Sequence, residues 1–240
     1  MLADNTSAWP QQQATLFSLI HSDPRFYLIN KQPGVSFHRE GEEPGLLDAV
    51  RHGLQDDALW PVHRLDRITS GLILLARSSQ VASQLGAAFA EHAVEKYYLA
   101  MSERKPQKKQ GLIKGDMDKG RGGAWRLLPS LQHPAVTQFF SYSVQPGLRL
   151  FLLRPRSGKT HQLRVAMKSQ SAPILGDTLY GGSAADRGYL HAYALRFSLD
   201  GEAFSFLCPP DQGEYFLGQA LQDCLQREAK EPWDLPWPKV

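Results

Sequence analysis

Two strand-like segments joined by a tight turn constrain the fold of this chain more than any other feature. Residues 135–144 alternate fairly well between apolar and polar side chains, and residues 148–153 follow the turn sequence Gln145-Pro146-Gly147. This pattern is typical of a β-hairpin, whose two strands run antiparallel. A second hairpin is predicted at Asp200-Gly201, between two further apolar segments. The chain therefore favours a sheet with antiparallel strands.

The other segments predict strands and helices in mixed order. Further strands are expected at residues 26–30, 72–76, 96–101, 190–197 and 203–207. Helices are expected at residues 14–20, 46–54, 161–169 (capped by Thr160) and 211–227, and after Ser78 or Ser79, where the apolar positions 81, 82, 85, 88 and 89 share one face. This mixture predicts an α+β fold with a largely antiparallel central sheet flanked by helices and loops.

The composition suits one large domain, or one domain of two lobes. The chain has 240 residues, of which 42% are hydrophobic, and this is enough for a sizeable core. We divide it into a little-defined N-terminal segment at residues 1–20, one domain at residues 21–227 and an irregular tail rich in Pro and Trp at residues 228–240.

Cysteine usage and hydropathy predict a soluble cytoplasmic protein without membrane contact. Cys208 and Cys224 show neither metal-ligand spacing nor a disulfide framework, which favours a reducing compartment. The first residues, MLADNTSAWPQQQ, have no basic start and no apolar run, so no signal peptide is expected. No apolar stretch reaches the roughly 18 residues that a membrane span needs. We also expect a monomer.

Positive charge is concentrated in two stretches. Residues 104–126 hold eight Lys or Arg and two Asp, a sum of +6 in a chain whose net charge is +3. Residues 154–168 add five basic residues and no acidic one. One such stretch alone is most simply a solvated loop. Two of them, each with Gly and Arg, favour a phosphate-rich partner.

Familiar cofactor and metal motifs are absent from the sequence. Ser157-Gly158-Lys159-Thr160 ends like a phosphate-binding P-loop, but position 153 is Leu where that loop requires Gly. The eight His residues are scattered, and no dinucleotide fingerprint is present. We therefore expect no cofactor and no metal, so that ordinary side chains carry the chemistry.

The stretch HRLDR at residues 63–67 places Asp66 a short distance before the apolar strand expected at residues 72–76. A carboxylate in that position is unfavourable to desolvate unless a cation pairs with it. A turn cap or a pair with Arg67 is the simplest explanation. However, Thr69-Ser70-Gly71 already supply turn chemistry, so the stretch has more polar groups than a turn requires. A carboxylate held ionised by arginine beside basic loops is a candidate nucleophile.

The stretch from His63 to Leu72 resembles the H-R-L-D-x-x-T-S-G-L signature of the RluA family of pseudouridine synthases. Further motifs similar to those of this family follow in its order, at residues 28–34, 96–100, 157–165, 173–181 and 190–192. The resemblance covers roughly residues 26–210. Gln32, Lys159 and Ala166 depart from the family pattern, and no room is left for the N-terminal RNA-binding domain of many members. These departures put the choice of substrate in doubt, not the chemistry.

The resemblance implies that the protein isomerises uridine in RNA to pseudouridine. Asp66 would be the nucleophile, either by attack on C1′ or by assisting the formation of a glycal. Arg164 would pair with Asp66 and keep it ionised, unless it is a solvent-facing cation on a helix surface. Tyr98 would lie against the uracil and relay the C5 proton, unless it only packs in the core.

The expected partner is a structured RNA, either tRNA or ribosomal RNA. The target base must be flipped out of its stack, and Arg64 is the candidate to fill the vacancy. Further residues expected to bind RNA or line the pocket are His63, Arg67, Lys159, His161 and Leu163. Two alternatives remain, an inactive RNA-binding module of the same fold and a glycosidase-like hydrolase. The hydrolase needs a second carboxylate, and only Asp177 stands in a matched motif, among residues that look structural.

Overall fold

A computed structural model describes residues 16–39, 41 and 44–240. Eleven strands form one sheet in this part of the chain: β1 (Phe17–Ser22), β2 (Phe26–Lys31), β3 (Trp60–Pro61), β4 (Ser70–Ala76), β5 (Glu95–Ser102), β6 (Gln110–Lys119), β7 (Trp125–Leu128), β8 (Ala135–Gln145), β9 (Leu148–Pro155), β10 (Leu190–Leu199) and β11 (Glu202–Leu207). Five α-helices accompany them: α1 (Leu46–Leu54), α2 (Ser79–Ala90), α3 (Gln162–Ser169), α4 (Glu214–Leu217) and α5 (Gln219–Glu228).

The sheet has the order β1-β2-β4-β10-β5-β9-β8-β6-β7, with β11 beside β10 and β3 beside β4. The pairing of β10 with β4 is parallel, and every other pairing between the described strands is antiparallel. The predicted hairpins are β8–β9 and β10–β11. The expectation of an α+β fold with a largely antiparallel sheet is therefore confirmed.

Gly71, the second residue of β4, explains part of the motif at residues 63–72. Its φ is +105°, and a Cβ at this position would overlap with the backbone of Ala192 on β10. The parallel ladder pairs Ser70 with His191 and Gly71 with Ala192. Only glycine tolerates both the positive φ and the close backbone approach. The motif thereby joins β4 to β10 and fixes the end of the loop that carries Asp66.

The structure corrects three local predictions. Residues 17–20 of the expected helix at 14–20 belong to β1, because this strand pairs with β2; residues 14 and 15 lie outside the described part. The helix expected at 211–227 is divided into α4 and α5 at Gly218, which has extended backbone. The N-cap of α3 is His161 with φ +56°, and Thr160 lies before it.

The tail folds back on the sheet. A short 3-10 helix spans Pro232–Asp234, and Trp237 packs against Phe140 and Tyr97 at ring distances of 4.9 and 5.7 Å. The Gln138 side chain donates a hydrogen bond to the carbonyl of Pro238. The division of the chain at residues 20 and 227 stays a prediction. Within the described residues, we find no helix with the length and apolar character needed to cross a membrane.

Candidate active site

A cavity of about 450 Å³ lies between the loop before β4, the end of α2, the strand β5 and the start of α3. Seven of the nine predicted site residues line it: His63, Arg64, Asp66, Tyr98, Lys159, His161 and Leu163. Arg164 lies behind the wall, next to Leu163 on α3. Arg67 is exposed outside the lining, and its Nε donates to the carbonyl of Gly34 at 3.0 Å.

Asp66 and Arg164 are close together, as the resemblance implies. Arg164 Nη1 lies 3.7 Å from Asp66 Oδ2. Arg164 is 6% exposed, so the alternative of a solvent-facing helix cation is wrong. The Asp66 side chain retains 26% exposure and is open to the cavity. The carboxylate thus faces both a substrate space and a buried positive charge.

Asp177 is the principal partner of Arg164. Its two oxygens accept hydrogen bonds from Arg164 Nε and Nη2, both at 2.7 Å, and Asp177 is 2% exposed. Burial lowers the pKa of Arg164, but the hydrogen bonds to Asp177 and the charge of Asp66 outweigh burial and leave that pKa raised. The bidentate pair fixes the guanidinium plane. Only its Nη1 corner is left to approach Asp66.

Tyr98 is both buried and part of the cavity wall. It lies on β5 between Leu153 of β9 and Ala192 of β10, and it is 9% exposed. Burial, and then the charge of Asp66, raise the pKa of its hydroxyl. The hydroxyl is therefore protonated at neutral pH. The two interpretations offered by the sequence, core packing and contact with the substrate, are compatible.

His161 connects the cavity to the hairpin formed by β6 and β7. Its Nδ1 lies 2.8 Å from the hydroxyl of Tyr180, which accepts a hydrogen bond from the backbone N–H of Trp125. Because Tyr180 accepts from Trp125, its own proton is free to bind His161 Nδ1. Burial lowers the pKa of His161. Arg164 lies over the ring of Tyr180 at 4.8 Å, so the same tyrosine also supports the guanidinium.

His63 holds the loop before β4 to that strand. Its Nε2 accepts the backbone N–H of Leu74 at 2.9 Å, and its ring stacks on Phe89 at 4.6 Å. Burial and the charge of Lys96 lower the pKa of His63 to about 3. The ring is therefore neutral and anchors the loop, a function that the sequence analysis missed.

Two predicted RNA-binding cations lie at the rim of the cavity. Arg64 is exposed and has no hydrogen bond or ion pair with the described residues. Lys159 is also exposed, and its backbone N–H donates to Gln162 Oε1 at 3.0 Å. Gln162 also accepts a hydrogen bond from the Ser157 hydroxyl and donates one to the carbonyl of Val136. These bonds fix the loop that carries Lys159.

The sequence assigned no role to three residues of the matched motifs: Gln162, Lys31 and Lys96. Lys31 is fully buried, and its ammonium donates to the carbonyls of Gln32, Val35 and Arg67. Burial, and then the charge of Arg187, lower the pKa of Lys31 to about 7. All three residues lie inside the matched motifs, and this position was the signal by which they could have been found in the sequence.

Comparison with known proteins identifies the family. Residues 25–169 match the family model of the RNA pseudouridylate synthases. The chain therefore belongs to this family, whose enzymes are isomerases that convert uridine in RNA to pseudouridine.

Similar proteins extend this match over most of the chain. An uncharacterized RNA pseudouridine synthase of Haemophilus influenzae is 47% identical over 89% of this chain and 95% of its own length. The tRNA pseudouridine synthase C of Vibrio cholerae is 28% identical over 88% of this chain and 93% of its own length. Human RNA pseudouridylate synthase domain containing 1 has the same fold, with a TM-score of 0.71, 23% identity and coverage of 88% and 93% of the two chains.

Proposed function

We propose that this protein isomerises a uridine of a structured RNA, in tRNA or ribosomal RNA, with Asp66 as the nucleophile. The observation that carries the proposal is the placement of Asp66 in the cavity, 3.7 Å from a guanidinium that Asp177 holds in place. A fixed cation favours the ionised carboxylate without covering it. The open side of Asp66 is where the sugar of the uridine would bind.

The reaction balances without a redox partner. The N1–C1′ bond breaks, the uracil rotates, and C5 forms a bond to C1′. The proton on C5 is lost and N1 gains one, so the product is an isomer of the substrate. Asp66 either attacks C1′ or assists the removal of a sugar proton to form a glycal, and both routes need an ionised carboxylate.

For Tyr98, contact with the uracil base is a better supported role than proton transfer. The raised pKa of its hydroxyl makes the phenolate a minor species at neutral pH. A protonated tyrosine is a poor base, so direct removal of the C5 proton is disfavoured. We assign to Tyr98 the contact of its ring with the face of the uracil, at the point where β5 forms the cavity wall.

Cations around the cavity suit an RNA substrate. Arg64 is exposed at the rim and free to enter the stack that the flipped base leaves. Exposed Lys119 and Arg121 lie where β6 passes to β7, and Trp125 links this hairpin to the cavity through Tyr180. Contacts of this kind to phosphates would position the RNA without reading its sequence.

The name of the relative from Vibrio cholerae supports tRNA as the substrate, and ribosomal RNA is the alternative. A cytoplasmic location and a monomeric state belong to the same proposal. The glycosidase-like alternative is disfavoured because Asp177, its second carboxylate, is buried and bound by Arg164 on both oxygens.

Mapping of pseudouridines tests the proposal. Total RNA from cells with and without the gene is compared at single-nucleotide resolution, and the purified protein is then added back to the deficient RNA. We expect one or a few uridines to lose and then regain the modification. Binding of RNA without conversion of any uridine would instead support an inactive RNA-binding module.

A further inference from the structure

Lys96 is a half-buried cation on the cavity wall for which the reaction described above has no use. It lies on β5 two residues before Tyr98, so both side chains project from the same face of the strand. Its ammonium has no hydrogen-bond or ion-pair partner among the described residues. We propose that Lys96 binds a phosphate oxygen adjacent to the flipped uridine, an inference that rests on the proposed function.

The surroundings of Lys96 contain no counter-charge. Its Nζ lies 5.6 Å from the ring centre of Phe89, which stacks on the neutral His63. The neighbouring carboxylate, Glu95, is bound by Arg154 at 3.1 Å. Burial removes water from the ammonium of Lys96 and so lowers its pKa. An unpaired cation in a cavity is unfavourable on its own, and such groups are enriched at binding sites.

The space in front of Lys96 is open and electropositive. Gly158 has no side chain, and a Cβ there would lie 4.0 Å from Lys96 Nζ. Lys159 follows in the same loop and lines the cavity with its neighbours. A narrow cleft continues from this end of the cavity past His92 and Arg156, and its one carboxylate, Glu95, is paired with Arg154. An anion at this point would meet several positive charges and no acidic side chain of the cavity lining other than Asp66.

A phosphate fits this place better than a uracil oxygen does. Lys96 and Tyr98 are separated by roughly 6.7 Å along the strand, so a base against Tyr98 would leave Lys96 beyond its edge. A uracil carbonyl is neutral and would leave the ammonium without a counter-charge. A phosphate supplies a full negative charge and a charge-assisted hydrogen bond. The contact would hold the backbone of the flipped nucleotide while Asp66 reaches the sugar.

The test uses an RNA stem-loop that carries the uridine found by pseudouridine mapping. It is synthesised with a neutral methylphosphonate at the phosphate on the 5′ or on the 3′ side of that uridine. For the wild-type protein, one of the two substitutions should lower kcat/KM roughly 10- to 100-fold, as expected for the loss of a charge-assisted hydrogen bond. Lys96→Met should lower kcat/KM by a similar factor on the unmodified RNA and show no further loss on that methylphosphonate. Lys230→Met, at an exposed lysine outside the cavity lining, is the matched control and should behave as wild type.

If the loss in kcat/KM from Lys96→Met multiplies with the loss from the methylphosphonate on the 5′ side and also with that on the 3′ side, the proposal is overturned. A uracil oxygen is then left as the partner of Lys96. Equal kcat/KM for wild type and Lys96→Met would overturn it as well. Thermal melts accompany each variant, and Lys96→Arg, which keeps the charge, should retain more activity than Lys96→Met. If Lys96→Met does not fold, amine acylation of wild-type Lys96 replaces it, and lack of protection by the RNA would refute the contact. A wild-type protein that converts no uridine would instead overturn the proposed function.

Discussion

The buried pair of Arg164 and Asp177 allows a quantitative prediction. Asp177→Asn removes a charge and one acceptor, so that Arg164 keeps Asp66 at 3.7 Å as its counter-charge. Loss of one partner of a buried pair typically costs about 3–5 kcal/mol. The amide oxygen of Asn and the charge of Asp66 recover part of this. We therefore expect the free energy of unfolding to fall by about 2–4 kcal/mol.

The same substitution should impair catalysis in the protein that remains folded. Without the bidentate contact to Asp177, the guanidinium is free to turn towards Asp66 and form hydrogen bonds with its oxygens. A nucleophile that is bound in this way is less available to the sugar. Urea unfolding, followed by tryptophan fluorescence, measures the stability. Single-turnover conversion at a temperature well below the melting transition measures the chemistry, which we expect to slow roughly 10- to 100-fold, or about 1.4–2.8 kcal/mol.

Asp118→Asn is the matched control. Asp118 accepts a hydrogen bond from Arg126 at 2.8 Å, but the two side chains are 49% and 65% exposed. Exposed ion pairs contribute little to stability, so this variant should unfold and react as the wild type does. If Asp177→Asn cannot be told apart from Asp118→Asn in both assays, the reasoning about the buried pair is wrong.

Three further predictions concern RNA contacts and pH. Arg64→Ala should slow the modification of a stem-loop far more than that of an unstructured oligonucleotide, and equal losses in kcat/KM on both would remove its part in base flipping. Replacing the exposed Lys105, Lys108 and Lys109 by Ala should flatten the slope of log K for RNA binding against log salt concentration by roughly 0.7 to 0.9 per lost phosphate contact. An unchanged slope would mean that these three lysines are only solvated. The pKa of His63, lowered to about 3 in the folded state, means that unfolding takes up a proton between about pH 6.5 and 3. Stability should therefore fall as the pH is lowered through this range, and melts of His63→Gln should show a smaller fall; an identical pH dependence would contradict the assignment.

The strands with strong local patterns were predictable from the sequence. The hairpin of β8 and β9 was recognised because two apolar segments flank turn residues, and α2 because Ser78 caps a helix with one apolar face. β1 was not, because its strand character comes from pairing with β2 and not from its own residues. β6 and β7 were hidden in a basic stretch whose charge suggested a loop.

The composition of the site was predictable, but its internal bonds were not. The motifs brought Asp66, Tyr98 and Arg164 together as expected. The strongest bond of Arg164 goes to Asp177, thirteen positions along the chain, and only the fold shows it. Lys96 lies in a matched motif, but the sequence assigns it no function, because a missing partner cannot be recognised before the neighbours are known.

Conversion of uridine by Asp66→Asn tests the central claim most directly. The substitution keeps the shape of the side chain and removes the negative charge and the nucleophilic oxygen pair. The wild-type and variant proteins are compared on the same RNA, by tritium release or a mass tag for pseudouridine, with a thermal melt as the folding control. We predict that the variant folds and binds RNA as tightly as the wild type or more tightly, and that it forms no detectable pseudouridine. A folded Asp66→Asn protein that converts uridine at a rate near that of the wild type would contradict the assignment of Asp66 as the nucleophile.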